Sequence, residues 1–237
     1  MKILLLYSVM VCCGIYNLQA MPQSASPSAA PVGGRKTILQ NSTITNSANK
    51  VENRATGDST INSGIRARGA VIKSSILINN NEQVNNSAHN SSQVNSGITA
   101  DAAQITNAKL MKNANININN LALNASKINS GIEAELAEIK DAEIENSNID
   151  VNNSASDGSK INSGIKLNGA TIKGSKIINK NSKVNNIATD HSVINSGING
   201  AGSIIKSSVI SNTNNHVNNS AHKSSRINSG VDIGIQD

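Results

Sequence analysis

The chain contains no phenylalanine and no tryptophan, and its only tyrosines, Tyr7 and Tyr16, lie near the N-terminus with its only cysteines, Cys12 and Cys13. That stretch reads as a secretory signal peptide over residues 1–20. Lys2 supplies the positive start, the run from Ile3 to Ile15 is apolar, and Leu18-Gln19-Ala20 ends in a small residue suited to cleavage before Met21. The apolar core is too short to span a bilayer, so no membrane span is expected after cleavage. The remaining chain then has no phenylalanine, tyrosine or tryptophan and no thiol. A disulfide-stapled secreted domain is excluded. Base stacking of single-stranded nucleic acid is excluded too, because it needs aromatic faces, and no nucleic-acid partner is expected.

Proline is equally scarce. Pro22, Pro27 and Pro31 all fall in the small-residue stretch that follows the leader, and residues 21–36 read as a flexible linker. The formal net charge of +6 falls to +5 once Lys2 leaves, with both signs interspersed. This mild basic bias permits weak attraction to anionic surfaces without indicating a nucleic-acid groove.

What the chain has in quantity is repetition. Ile-Asn-Ser-Gly-Ile stands at 61–65, 128–132, 161–165 and 194–198, with close variants at 94–98 and 227–231. Successive copies start 33, 34, 33, 33 and 33 residues apart. A second series, Val51-Glu-Asn, Val84-Asn-Asn, Ile118-Asn-Asn, Val151-Asn-Asn, Val184-Asn-Asn and Val217-Asn-Asn, keeps the same beat. A third, small-x-Ile-x-x-small-x-Ile, lies between them, as in Ala70-Val-Ile72 with Ser75-Ile-Leu77 and Ala137-Glu-Ile139 with Ala142-Glu-Ile144. The length change in the array is one extra residue between Ile105 and Ile118.

These segments are short, rich in Ile and Val, and bounded by Asn, Ser and Gly, which is a strand-and-turn pattern. Helix is disfavoured, because Asn and Ser compete for backbone hydrogen bonds and β-branched residues are stiff. Residues 133–145 read locally as helix, yet Ile139 and Ile144 stay on the beat. Asparagine numbers 39, enough to raise low-complexity disorder as an alternative. Disorder gives no reason for apolar residues to hold a fixed interval, so order is expected.

Each segment resembles its counterpart one unit away more than its neighbours within the unit. The expected fold is therefore an all-β solenoid over 37–237, with repeats of about 33 residues, three short strands per repeat and five to six coils. Like residues sit above like, which favours one coil per repeat, although three shorter coils per repeat remain open. At ~4.8 Å per layer the stack rises roughly 25–30 Å. Asn62, Asn95, Asn129, Asn162, Asn195 and Asn228 are expected to form a structural ladder of stacked side-chain amides. Gly64, Gly97, Gly131, Gly164, Gly197 and Gly230 are expected to supply left-handed or tight corners. The Asn-Asn pairs are expected in turns.

Little in the chain points to chemistry. His89 and His222 share a repeat offset, but Ser156 and Thr189 take that place between them. Neighbouring coils would have to match to hold a metal row, so His89, His191, His216 and His222 read as surface turn residues. Glu133, Glu135, Glu138, Asp141, Glu143 and Glu145, with Asp150 beyond, cluster as an acidic face. That face is expected to be solvated; pairing with Lys or Arg on adjacent coils is the alternative. No nucleophile elbow, phosphate loop or dinucleotide fingerprint is present. No catalytic residue, cofactor or metal is assigned, and the expectation is a protein that is not an enzyme.

A leader, a short proline-bearing linker and cysteine-free Asn/Ser/Gly-rich imperfect repeats together resemble the secreted bacterial functional-amyloid and biofilm-fibre subunits of the curli and Fap type. The resemblance is architectural. The curli glutamine, asparagine and glycine spacing is not reproduced and its aromatics are missing, so no residue role carries over. Some runs, notably 137–149, also look like pentapeptide repeats, but these end at the 10- to 12-residue steps between segments. The resemblance implies an extracellular or cell-surface structural protein. Its partner would be itself, in a homopolymer, with an outer-membrane secretion pore or second fibre subunit alongside. A monomeric surface adhesin is the alternative reading, and an ice-binding face, for which the Thr rows are too few, comes behind it.

Overall fold

A computed structural model describes residues 37–233. Residues 1–36, on which the expected signal peptide and linker fall, and the last four residues lie outside the described residues. Everything within them is strand, corner or turn, with no helix.

Six coils stack into a parallel β-solenoid, one coil per repeat. In the third coil the chain runs through strands Gln104–Thr106, Leu110–Leu123, Lys127–Asn129 and Ile132–Glu133, and then enters the fourth coil at Glu138–Lys140. Each strand pairs in parallel with its counterparts in the coils before and after, so four sheets run the length of the stack. We call them the first, long, third and fourth sheets in the order the chain visits them.

The coil thus holds more strands than the three expected. Each motif that looked like one segment is bent in the middle. Ile-Asn-Ser-Gly-Ile spans the third and fourth sheets, with the corner at Ser-Gly. The small-x-Ile series spans the first and long sheets, with a left-handed residue between them: Asn41, Ser74, Asn107, Asp141, Gly174 or Ser207. The long strand is itself kinked at Asn117, Asp150, Lys183 and His216, all at φ of 53–55°. The extra residue absorbed by the third coil sits at 109–110. Leu110 pairs with Ile76 on one side, whereas Met111 is the first residue of that strand to pair with the coil beyond, at Ile144.

Alternation along each strand sends one set of side chains inward. Ile72, Ile105, Ile139 and Ile172 stack in one column, Leu77, Met111, Ile144 and Ile177 in a second, and Ile98, Ile132, Ile165 and Ile198 in a third, all fully buried. Across the coil lie the columns of Val84 and Ile118, of Ala88 and Ala122, and of Val94 and Ile128. The apolar interior is divided between these groups, and asparagine fills the space between them.

Candidate functional site

The long strand alternates inward through Met111, Asn113 and Asn115, and after the kink at Asn117 through Ile118, Asn120 and Ala122. Asparagine therefore shares the inward face with the aliphatic core. The Asn113 amide donates from Nδ2 to Oδ1 of Asn146 at 2.7 Å and to the backbone oxygen of Ser130 at 2.9 Å. Asn115 donates to the same Ser130 oxygen at 2.9 Å. Asn120 donates to the Ser130 hydroxyl at 2.7 Å and to Asn153 at 2.8 Å. Ser96, Ser163, Ser196 and Ser229 hold the same place in their own coils. Each serine of the Ile-Asn-Ser-Gly-Ile motif is thus the hub on which two buried asparagine ladders converge.

One expectation is corrected here. The Asn-Asn pairs do not make turns. They sit inside strands such as Val84–His89, with Asn86 inward and Asn85 outward. Asn120, from one such pair, forms a buried ladder instead of a turn, and the buried ladder through Asn113 lies outside the repeated motifs. A signal for the latter was present: Asn79 and Asn81 follow Leu77 by two and four residues, and so share its face.

The ladder that was expected does form. Side-chain amides link Asn62, Asn95, Asn129, Asn162, Asn195 and Asn228 at 2.6–2.9 Å. It lies on the outer side of the third sheet, in the concave corner toward the fourth, and its inner members are buried by that corner. Its direction is opposite to the buried ladders. Asn129 donates back toward Asn95, and its Nδ2 is held there by the oxygen of Ile98 at 3.2 Å.

The motif glycines stand at corners, as one of the two expected roles had it, but the left-handed role is corrected. None of Gly64, Gly97, Gly131, Gly164, Gly197 and Gly230 is left-handed. A Cβ on Gly131 would instead overlap the backbone oxygen of Gly164 in the next coil. The column is glycine because successive backbones touch there. Gly230, in the last coil, has no such neighbour; its nearest contact would be Asn228 Oδ1 at 3.9 Å.

The acidic run 133–150 does not form one solvated face. It spreads over several columns, and most of its members meet a lysine. Glu133 is 1% exposed and accepts from Lys127 at 2.8 Å and Lys166 at 3.4 Å. Glu135 takes Lys166 at 2.8 Å, Glu143 takes Lys176 at 3.1 Å, and Asp150 takes Lys183 at 3.2 Å. Burial acts to raise the pKa of Glu133, but the Lys127 and Lys166 ammoniums overcome it and hold the carboxyl below its ordinary value. Asp101 is shifted the other way, raised by burial and by the nearby charge of Glu133. The Lys166 ammonium is held above its usual value against burial, by hydrogen bonds and charge from Glu135 and Glu133.

The histidines stay at the surface. His89 pairs with Ser87 at 2.8 Å and His222 with Ser220 at 2.9 Å, while His191 occupies a left-handed turn position and His216 the left-handed kink of the last long strand. Among the described residues no three His, Cys, Asp or Glu side chains converge as a metal site, and no helix is long and apolar enough to cross a membrane.

The two ends of the stack are unlike its middle. In the last coil Val217 and Val231, which belong to inward columns, are 37% and 46% exposed, whereas Val184 and Ile198 directly before them are at 1% and 0%. Among the described residues nothing covers that edge.

These features define a parallel β-solenoid repeat protein with an amide-laddered interior. No protein-family model matches the chain, and no curated protein matches it. Among solved structures it has a faint likeness to HetL, a pentapeptide repeat protein involved in heterocyst differentiation regulation from the cyanobacterium Nostoc. The likeness is at 10% identity and a TM-score of 0.14, over 78% of this chain and 86% of that one. At that score it carries no argument.

Proposed function

We propose that this chain is a secreted, non-enzymatic structural protein whose copies stack end to end into an extracellular fibre or matrix strand. The observation that carries the reading is the complementarity of the two ends. The ladders that face the interior run one way: Asn46 donates to Asn79, and so on until Asn179 donates to Asn212. At the C-terminal edge Asn212 Nδ2 has given one hydrogen to Ser229 and has a second to give. At the N-terminal edge Asn46 Oδ1 has no donor among the described residues. The outer ladder runs the other way and is matched in the opposite sense, with Asn62 Nδ2 able to donate to Asn228 Oδ1 of the adjoining copy. Tail against head continues every ladder, whereas tail against tail would set donor against donor. Covering the exposed Val217 and Val231 adds an apolar gain, at roughly 25 cal/mol per Å² of surface removed from water. Unpaired strand edges are ready templates for such addition.

Negative-stain microscopy of the purified mature protein over a concentration series tests this. Unbranched filaments one solenoid wide are expected, and monomers that persist at high concentration would overturn it. Export is checked separately: the extracellular fraction should hold a chain whose N-terminus is Met21, whereas full-length protein retained inside the cell would contradict secretion. A monomeric surface adhesin is the second reading, favoured by filament-free protein that still binds cells.

A further inference from the structure

Charge on the outside of this solenoid is paired between coils. Arg68 with Asp101, Lys112 with Glu145, Lys166 with Glu133, Lys176 with Glu143, Lys183 with Asp150 and Lys223 with Asp190 each join residues one repeat apart. Stacking opposite charges in register is what a parallel sheet favours, and like charges directly opposite one another are unfavourable.

Two columns depart from this pattern: Lys127 pairs in register with Lys160 on the third sheet, where Lys127 is held by Glu133, and a longer lysine run stands on the first sheet. On the outer face of the first sheet Lys140 pairs in register with Lys173, and Lys173 with Lys206. Lys73 stands in the same column two coils before Lys140, with Thr106 between them. All four lysines are exposed. Among the described residues none of them forms an ion pair. The sheet's outward carboxylate, Glu138, is two residues from Lys140 and pairs with neither it nor its neighbours. Three lysines in register in consecutive coils, their backbones ~4.8 Å apart, make a cationic rail parallel to the solenoid axis.

We propose that this rail is a docking site for an extended acidic polysaccharide, with carboxylate or sulfate groups of the polymer seated along Lys140, Lys173 and Lys206. The side chains beside the rail favour this polyanion. Thr171 stands beside Lys173, and Gln104 and Thr106 extend the polar strip one coil before Lys140, so amide and hydroxyl groups are in reach of sugar hydroxyls, while this sheet holds no aromatic ring for a nucleobase to stack on. The polymer supplies the charge that the coil-to-coil pairing omits in this column. The site lies on a lateral face, so it does not depend on end-to-end assembly, and its failure would leave that reading untouched.

The test is binding of the mature protein to polygalacturonate, with neutral dextran, duplex DNA and anionic phospholipid vesicles as comparators. One variant carries Lys140→Gln, Lys173→Gln and Lys206→Gln. A second loses the same charge from paired lysines, through Lys176→Gln, Lys183→Gln and Lys223→Gln. The rail variant is expected to lose at least tenfold in affinity, with its salt slope reduced by roughly two to three. The paired-lysine variant should stay within about threefold of the parent, and both should keep the parent's β-type circular dichroism. Equal losses in the two variants, which would mean net charge alone, overturn the proposal. So does absent binding by the parent, or tighter binding to DNA or vesicles than to polygalacturonate.

Discussion

Asn113 donates its side-chain amide to Asn146, one coil further on, at 2.7 Å, with both residues fully buried. Such a contact specifies register. A buried amide with no partner costs about 1–3 kcal/mol, so a strand slipped by two residues, which keeps the same face inward, would set Asn113 against Ile144 and leave its amide unpaired. The Ile and Val columns tolerate approximate alignment, whereas the asparagine columns do not.

Replacing Asn113 tests this directly. Asn113→Ala removes a donor from Ser130 and an acceptor from Asn79, and should cost about 2–4 kcal/mol in urea unfolding. Asn113→Asp keeps the shape but removes both donors, and it turns a carboxylate toward the oxygens of Ser130 and Asn146. It should be the less stable of the two at neutral pH and recover part of the loss near pH 4, where a buried carboxyl protonates.

Gly131→Ala should be among the most damaging small substitutions. The added methyl meets the backbone of the next coil rather than a movable side chain. A loss of about 3 kcal/mol or more is expected, at the upper end of overpacking costs. Gly57→Ala is the comparison. Its left-handed φ of 60° strains alanine, but nothing lies within 4 Å of the new Cβ, so its cost should be about 1 kcal/mol. Thermal unfolding of the two variants ranks them.

Glu133 should leave a signature in the pH dependence of stability. A carboxylate held below its unfolded value stabilises the fold above that value, and the contribution is lost as pH falls through the folded one. Asp101, whose pKa is raised, acts in the opposite sense and stabilises relatively as it protonates. Stability should therefore fall on acidification below the ordinary glutamate range of about 4.3, and Glu133→Gln should flatten that fall. At neutral pH the variant should cost about 1–3 kcal/mol, below the figure for a fully buried pair because Lys127 and Lys166 remain partly exposed. Urea midpoints between pH 3 and 8 measure both effects.

The fold was more legible than its interior. Ile61, Val94 and Ile128 recur at the interval that stacks them, and the likeness of each segment to its counterpart one unit away favoured one coil per repeat while leaving three shorter coils open; the structure has one. The single added residue was visible as a break in the count and now falls at 109–110, in an outward corner where a bulge costs no core contact. The strand number was not legible. Ser63-Gly64 turns a corner without left-handed backbone, and Ser74 turns one at a residue type common inside strands. The role of asparagine was obscured because the same side chain serves opposite purposes. Asn117 is a left-handed kink, Asn119 an outward ladder and Asn120 a buried one, within four consecutive positions. Only the count of two from a neighbouring core aliphatic separates them. The glycine column sits at the corner expected of it, but without left-handed backbone, and the close approach that demands glycine cannot be read from one coil's sequence. Glu133 looked like part of a solvated run because the lysines that cover it come from 127 and 166.

Gly230 offers the most direct test of end-to-end stacking. In isolation its Cβ position faces open space, but with a second copy seated on the C-terminal edge it would meet the backbone oxygen of that copy's Gly64, as Gly197 would meet Gly230 within the chain. The measurement is filament length and critical concentration for Gly230→Ala beside the parent, with monomer unfolding recorded in parallel. The account predicts a variant as stable as the parent, within about 0.5 kcal/mol, that no longer forms filaments. Parent-like filaments from a folded Gly230→Ala protein would contradict it.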